Sequence, residues 1–453
     1  MPDILVRGCL LARCLAQRTE FVPDQSLLIR GQRIAQVGPS SEVHPTPGAE
    51  VLEASGLLAM PGLVNTHAHV PMVLFRGLAE DVDLETWFNQ YMWPLEANLE
   101  PEDVYWGMQL GLAEMIEAGV TAVADHYFHM DLAARAVEQA GTRAALGWAV
   151  FGSQGQAGVE QTSRFAQEFR GAASGRITTW LAPHAPYTCD EGFLRAVAAA
   201  SERLGLGVHI HAAETRAQTE ASLRACGATP IQVLERTGLL ARPALVAHAC
   251  GATPEDLALL ARRGAGVAHA PKTYLKLSMG AAPVVAMRRA GVPVGLASDG
   301  AVSNNTLDLW ESLRLLALVQ KHATGRPQEL NLAEALWIAT RESARVYGLP
   351  EDLGRLEPGA LADLILVDLS GAHHQPLHSP AASLVYAARA SDVRTVLVDG
   401  KVLMRDRRLL TLDRDEIVAR VRHGMTRLAR RVPASRIQLY DPAAGRGPAD
   451  PRA

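Results

Sequence analysis

Two histidines, His67 and His69, follow a short apolar run in Pro61-Gly62-Leu63-Val64-Asn65-Thr66-His67-Ala68-His69-Val70. In a strand, side chains two apart leave by the same face, so both imidazoles project together. At the end of a buried strand they make half of a metal site. The same spacing also fits two unrelated histidines, one in a core and one on a surface. Further ligands at the ends of other strands decide between these readings.

Such residues recur. His184 stands in Ala182-Pro183-His184-Ala185-Pro186-Tyr187, and His211 in His209-Ile210-His211-Ala212-Ala213-Glu214. His248 closes Val246-Ala247-His248, and Asp299 sits in Ser298-Asp299-Gly300. His67, His69, His211 and Asp299, with a water, make a five-coordinate site for one divalent metal: Zn²⁺ first, with Fe²⁺ or Mn²⁺ as alternatives. Each residue alone has a plain structural reading, since a lone buried histidine is commonly a core residue and Asp-Gly is commonly a turn. Their shared position at strand ends favours the metal. His209 reads as a hydrogen-bonded core histidine one layer below His211, and His126 and His269 end strands without a ligand role.

The elements that must position these residues alternate strand, loop and helix. Eight strand segments can be counted: 58–66, 121–126, 144–151, 177–184, 208–214, 244–248, 266–269 and 293–299. Helical patterns lie between them, clearest over 101–118, where a proline opens the helix and Gly119 follows its end. Residues 191–204, 254–263 and 332–348 are others. Eight β-α units over roughly 250 residues predict an α/β fold of the (β/α)8 TIM-like barrel type, with functional side chains at the C-terminal strand ends. A doubly wound open sheet would carry Gly-x-Gly-x-x-Gly after an early strand, and none is present.

Both flanks read as short strands. At the start these are 4–6, 26–29, 33–37 and 51–54; at the end, 362–367 and a hairpin over 393–404 around Asp399-Gly400. The flanks are expected to form one small β-sandwich domain split by the barrel. The expected boundaries are 1–59 for its first part, 60–352 for the barrel and 353–412 for its second part. Residues 413–453 are expected to hold a solvated basic helix over 414–431 and a disordered tail from Asp441.

With 453 residues, 48% of them hydrophobic, the chain can bury a large core. A net charge of -4 and 20% charged residues argue against nucleic acid and anionic membranes as partners. The five cysteines are odd in number and contain no Cys-x-x-Cys, which argues against a disulfide framework and a thiolate zinc site. No signal-like or membrane-spanning run is visible, so a cytoplasmic protein is expected. A closed homo-oligomer is the expectation from base rates.

The sequence resembles the amidohydrolase superfamily, in its cytosine deaminase-like and chlorohydrolase branch, with particular likeness to 5'-methylthioadenosine/S-adenosylhomocysteine deaminases. The stretches that carry this are 61–77, Trp87 with Trp93-Pro94-Leu95-Glu96, 182–187, 211–214, 246–248, 298–305 and 356–368. The resemblance implies a metal-dependent hydrolytic deaminase in which water attacks the amino-bearing ring carbon of an adenine nucleoside. It further implies that Asp299 accepts the proton of that water, while His248 orients it and stabilises the charge developing on its oxygen. Glu214 carries a proton to the adjacent ring nitrogen. His184 donates to a ring nitrogen, Glu96 accepts hydrogen bonds from the ribose diol, and Trp87 forms a pocket wall.

Three departures bear on this. Strand four offers no lysine, so one metal is expected rather than a carbamate-bridged pair. Trp148 stands near the place where members that bind S-adenosylhomocysteine are expected to carry an arginine, which favours an uncharged 5' substituent. Tyr274, in Pro271-Lys272-Thr273-Tyr274-Leu275-Lys276-Leu277, replaces an asparagine expected on the pocket rim. Two alternatives follow. The same machinery could serve another N-heterocycle (guanine, pterin or triazine, with dechlorination available), or the barrel could be an inactive scaffold. The scaffold would be expected to have lost ligands, and none is missing.

Overall fold

The computed structural model describes residues 2–349 and 351–430. The chain begins in the small sheet with β1 (Ile4–Cys14), β2 (Thr19–Arg30), β3 (Arg33–Pro39), β4 (Glu50–Glu53) and β5 (Leu57–Pro61). β1 and β2 run well beyond the short apolar cores that periodicity picks out. Past a register shift between Val6 and Leu11 the same antiparallel ladder continues, with Leu11 opposite Val22, Ala12 opposite Phe21 and Arg13 opposite Glu20.

Gly62 divides this sheet from the barrel. The expected single strand 58–66 is two strands, because Leu58–Pro61 pairs with the small sheet and the chain then crosses to β6 (Leu63–Ala68). A side chain at Gly62 would lie 2.3 Å from Thr121, so only glycine lets the chain pass there.

The barrel strands follow in order: β6, β7 (Val120–Tyr127), β8 (Arg143–Val150), β9 (Ile177–Pro183), β10 (Val208–Ala212), β11 (Ala244–His248), β12 (Gly266–His269) and β13 (Val294–Leu296). They form one eight-stranded parallel sheet in sequential order, which confirms the expected barrel. The seam between β6 and β13 is closed by side chains. Thr66 Oγ1 donates to the Leu296 carbonyl at 2.9 Å, and the Ser298 amide donates to Asn65 Oδ1 at 3.0 Å. At Gly295 a Cβ would come within 2.4 Å of Thr66, so glycine allows this close approach.

The helix Pro101–Glu117 starts on a reciprocal cap between Glu100 and Asp103 and buries Val104, Met108, Leu112 and Ile116 against the barrel. Three other expected helices are present at 191–204, 254–263 and 332–347, the last with a π turn over Ile338–Glu342.

The return to the small sheet is β14 (Leu364–Asp368), β15 (Val393–Val398), β16 (Lys401–Arg405) and β17 (Arg408–Leu409). β14 pairs antiparallel with β5, so both chain flanks join one nine-stranded sheet. A buried ion cluster ties this sheet to the barrel. Arg143, at the start of β8, donates Nε and Nη2 to the two Asp363 oxygens at 2.8 and 3.0 Å, and Nη2 also reaches Asp399. Gln32 Nε2 donates to the other Asp399 oxygen at 2.7 Å.

The C-terminal helix, Arg414–Leu428, is less solvated than its basic composition suggests. It lays Ile417, Gly424 and Leu428 against the Pro101–Glu117 helix, with Arg427 bonded to Asp103. The expected tail from Asp441 lies outside the described residues. Among the described residues no helix is long and apolar enough to cross a membrane.

Candidate active site

At the C-terminal mouth of the barrel the imidazoles converge. His67 ends β6 and His69 follows it, while His211 lies in β10. The His69 Nδ1–H donates to the His126 carbonyl at 2.6 Å, and the His211 Nδ1–H to the His184 carbonyl at 2.7 Å. A carbonyl only accepts, so in both rings Nδ1 carries a proton, and in the neutral form Nε2 presents a lone pair. These two Nε2 atoms lie 3.2 Å apart. Two lone pairs facing each other at that distance repel unless a cation sits between them.

Asp299 completes the set. Its Oδ1 is 3.5 Å from His67 Nε2 and 3.4 Å from His69 Nε2. Neighbouring ligands bonded at 2.0–2.1 Å around a four- or five-coordinate ion lie roughly 2.9–3.6 Å from one another, so the spacings fit one ion with a further position for water. The residues present therefore fit a single divalent metal. Asp299 adopts a left-handed backbone (φ 61°), held by its amide bonded to the His67 carbonyl at 3.0 Å. Ser303 Oγ donates to its other oxygen at 3.2 Å. Burial alone would raise the Asp299 carboxyl, but His67, His69 and His248 hold it well below the usual carboxylate range.

Burial also governs the surrounding groups. It pushes His67 down to about 3 and His248 to about 4, and holds His184 and His211 well below the usual imidazole value. These rings are neutral, which is the ligand form. Glu214 lies three residues past His211, buried, with its amide bonded to Gln218 Oε1 at 3.1 Å. Burial pushes its carboxyl up to about 7, against the pull of Tyr187 and Gln218. A carboxyl there can give and regain a proton near neutrality.

A cleft lined largely by apolar side chains opens above these groups. His69, His211, His248, Asp299, Glu214, His184, Glu96 and Trp87 all border it. Glu96 closes the short helix Trp93–Glu96. Burial among the apolar residues of the wall pushes its carboxyl up to about 8, against the pull of the Tyr127 hydroxyl.

Two expected binding residues stand elsewhere. Tyr274 does not border the cleft. Its ring turns back onto His248 and His269, and its hydroxyl accepts from the Ala270 amide at 2.9 Å and donates to the Ala268 carbonyl at 3.3 Å. Thr273, Leu277 and Met279 border the cleft in its place. Trp148 lies in an adjoining cleft that shares Glu96, Phe128 and Phe151 with the first. Strand alternation explains this: Ala149 and Phe151 face the main cleft, so Trp148 faces the other way, toward His129 and Phe165.

The sequence reading missed what supports the ligands. His209 is the hydrogen-bonded core histidine expected, and its partner, which the sequence did not name, is the His67 ring: Nε2 meets His67 Nδ1 at 2.8 Å and fixes it. The i, i+2 spacing of His209 and His211 is the signal for this, since both face inward from β10. Tyr127, directly after His126, had no signal of its own. Gln218 was findable as the residue one helical turn past Glu214.

The family model of the Amidohydrolase family matches residues 58–403. Over 434 residues the chain is 45% identical to a protein of Moorella thermoacetica named 5-methylthioadenosine/S-adenosylhomocysteine deaminase, covering 94% of this chain and 99% of that one. A protein of the same name from Desulforudis audaxviator is 44% identical over 413 residues, or 90% and 96% of the two chains. Among solved structures, a zinc-bound adenosine deaminase from Xanthomonas campestris superposes with a TM-score of 0.89 at 32% identity, covering 94% of this chain and 99% of that one. The zinc complex of atrazine chlorohydrolase TrzN from Arthrobacter aurescens TC1 gives 0.85 at 25% identity, covering 93% and 100%.

Proposed function

The chain belongs to the amidohydrolase family, and from that premise we propose that it is a metal-dependent hydrolytic deaminase of adenine nucleosides, favouring 5'-methylthioadenosine over S-adenosylhomocysteine. The observation that carries the reading is the pair of Nε2 atoms 3.2 Å apart on His69 and His211, whose Nδ1–H groups are both committed to backbone carbonyls, beside Asp299 and Glu214. The names of the relatives support the reaction, and zinc in two structural neighbours supports Zn²⁺ over Fe²⁺ or Mn²⁺.

His67, His69, His211 and Asp299 hold the ion. When bound, it supplies Lewis acidity and lowers the pKa of a water toward neutrality. Asp299, ionised in this setting, takes the proton of the attacking water. His248, neutral and at the cleft wall, fixes the direction of attack. Glu214 moves a proton to the ring nitrogen beside the attacked carbon, which makes that carbon electrophilic, and ammonia leaves. His184 faces a second ring nitrogen, and its Nδ1 is fixed by Thr188 Oγ1 at 2.9 Å.

Glu96 supports a ribose, since a carboxylate can accept from both hydroxyls of a vicinal diol. Trp148, with Phe128 and Phe151, gives the cleft beyond Glu96 an apolar character that suits a thioether better than a zwitterion. Residence in the cytoplasm and assembly as a closed homo-oligomer complete the reading, supported by composition and by the prevalence of symmetric assemblies.

The test is ammonia release by metal-loaded protein from adenosine, 5'-methylthioadenosine, S-adenosylhomocysteine, guanine and an amino- or chlorotriazine. Asp299→Asn and Glu214→Gln serve as blanks. Turnover of 5'-methylthioadenosine well above S-adenosylhomocysteine is the expected result. Turnover of a free base or triazine alone would overturn the substrate and keep the chemistry.

A further inference from the structure

Away from the barrel mouth, a second group of metal-binding side chains lies in the crossover 369–392 between β14 and β15. His373 and His374 are consecutive residues of a short 3-10 turn, and Asp392 immediately precedes β15. Consecutive side chains ordinarily diverge, yet here both rings turn to one point. Their centroids are 4.0 Å apart, and His373 Nε2 and His374 Nε2 lie 3.0 and 3.2 Å from the same oxygen, Asp392 Oδ2. One donor atom from each of the three residues falls within 4.8 Å of the others.

We propose that His373, His374 and Asp392 form a second divalent-metal site, of the zinc type, that fastens the crossover to the root of β15. Separations of 3.0 and 3.2 Å are close to the edge of about 3.3 Å expected between ligands at 2.0–2.1 Å from a tetrahedral ion. They also match the 3.2–3.5 Å found among the four ligands at the barrel mouth. Two imidazoles and one carboxylate suit zinc, cobalt or nickel rather than calcium or magnesium, which take oxygen ligands.

The supporting contacts are those of a built site. The other nitrogen of His374 meets Ser383 Oγ at 2.5 Å, and Asp392 Oδ2 accepts the Arg389 amide at 2.8 Å. His374 and Asp392 are buried, whereas His373 is exposed, which leaves a route for the ion and a fourth position for water. Ser383–Ala387 packs on the barrel helix Leu309–Thr324, and Arg314 of that helix donates to the Tyr386 and Ala388 carbonyls. An ion at this point therefore fixes a segment that touches both domains, far along the chain from the catalytic ligands.

The experiment uses the full-length protein, stripped with chelator, equilibrated with Zn²⁺, desalted and analysed for metal by mass spectrometry. Two equivalents per chain are expected, falling to one in His373→Gln with deaminase activity unchanged, and to one in His211→Asn. Added Zn²⁺ should raise the melting temperature of His211→Asn and leave that of the His211→Asn/His373→Gln double variant where it was. One equivalent in both the wild-type protein and His373→Gln would overturn the site, because the three side chains would then share protons alone. Retention of two equivalents by His373→Gln would overturn it as well.

Discussion

Glu96→Gln tests the ribose anchor and the electrostatics of the cleft together. An ordinary carboxyl titrates near 4.5, and burial pushes that of Glu96 up to about 8. Between those values the unfolded chain has released a proton that the folded protein retains. Folding stability therefore falls as pH rises through this window and levels off above about pH 8. A gap of this size corresponds to a destabilisation of about 5 kcal/mol at alkaline pH. Glutamine keeps the shape and an acceptor oxygen but never ionises, so the variant should melt higher than the parent at pH 8 and alike at pH 5.

Catalysis should move the other way. Above about pH 8, where Glu96 is ionised, its bonds to a diol are charge-assisted, and weakening them costs about 2–3 kcal/mol, which is roughly 30- to 150-fold in kcat/KM. The assay is ammonia release from adenosine and from 2',3'-dideoxyadenosine, which lacks the diol, alongside thermal melts at both pH values. The loss should appear for adenosine and vanish for the dideoxy analogue. Equal losses on both substrates would refute the anchor. A melting temperature unchanged at pH 8 would refute the account of the buried carboxyl.

Glu214→Gln should lower kcat by roughly 10²- to 10⁴-fold with metal content unchanged, read from steady-state kinetics and metal analysis on the same preparation. His209→Ala should weaken metal affinity about 10- to 100-fold by freeing the His67 ring, measured by competition with a chelating dye, although His209 is not itself among the expected ligands. Arg143→Ala leaves the Asp363 and Asp399 carboxylates buried without their cation, and should cost about 3–5 kcal/mol in denaturant unfolding. Its residual folded fraction should keep the parent KM, because the ion cluster is at the far end of the barrel from the cleft.

The candidate metal set was legible because its chemistry and its positions agree: its histidines and aspartate fall at strand ends, and a parallel barrel brings strand ends together. The second tier was less legible because it depends on side-chain direction. Trp148 could be placed near the cleft from its neighbours, but strand alternation turns it into the adjoining one. Tyr274 could be placed on the right helix, Pro271–Lys276, yet nothing in the sequence says that its hydroxyl closes back on the Ala268 carbonyl and Ala270 amide. Gly62 reads as part of one strand over 58–66, because the apolar run continues on both sides of it and hides the fact that the chain changes sheets there. The convergence of His373 and His374 on Asp392 needed the fold, since 18 or more residues separate the carboxylate from the imidazoles.

The pairing of β5 with β14 gives biosynthesis a particular burden. Leu57 pairs with Asp368, the last residue of β14, so one edge of β5 waits for some three hundred residues of intervening barrel before its partner exists. At a translation rate of about 5–20 residues per second, that wait lasts roughly 15–60 s. Throughout it, Leu58-Ala59-Met60, wholly buried in the finished protein, borders an unpaired strand edge of the kind that invites pairing between chains. Aggregation during overexpression should therefore track the emergence of the first sixty residues rather than the stability of the finished enzyme. Slower growth temperatures or a co-expressed chaperone should then raise soluble yield without changing the melting temperature.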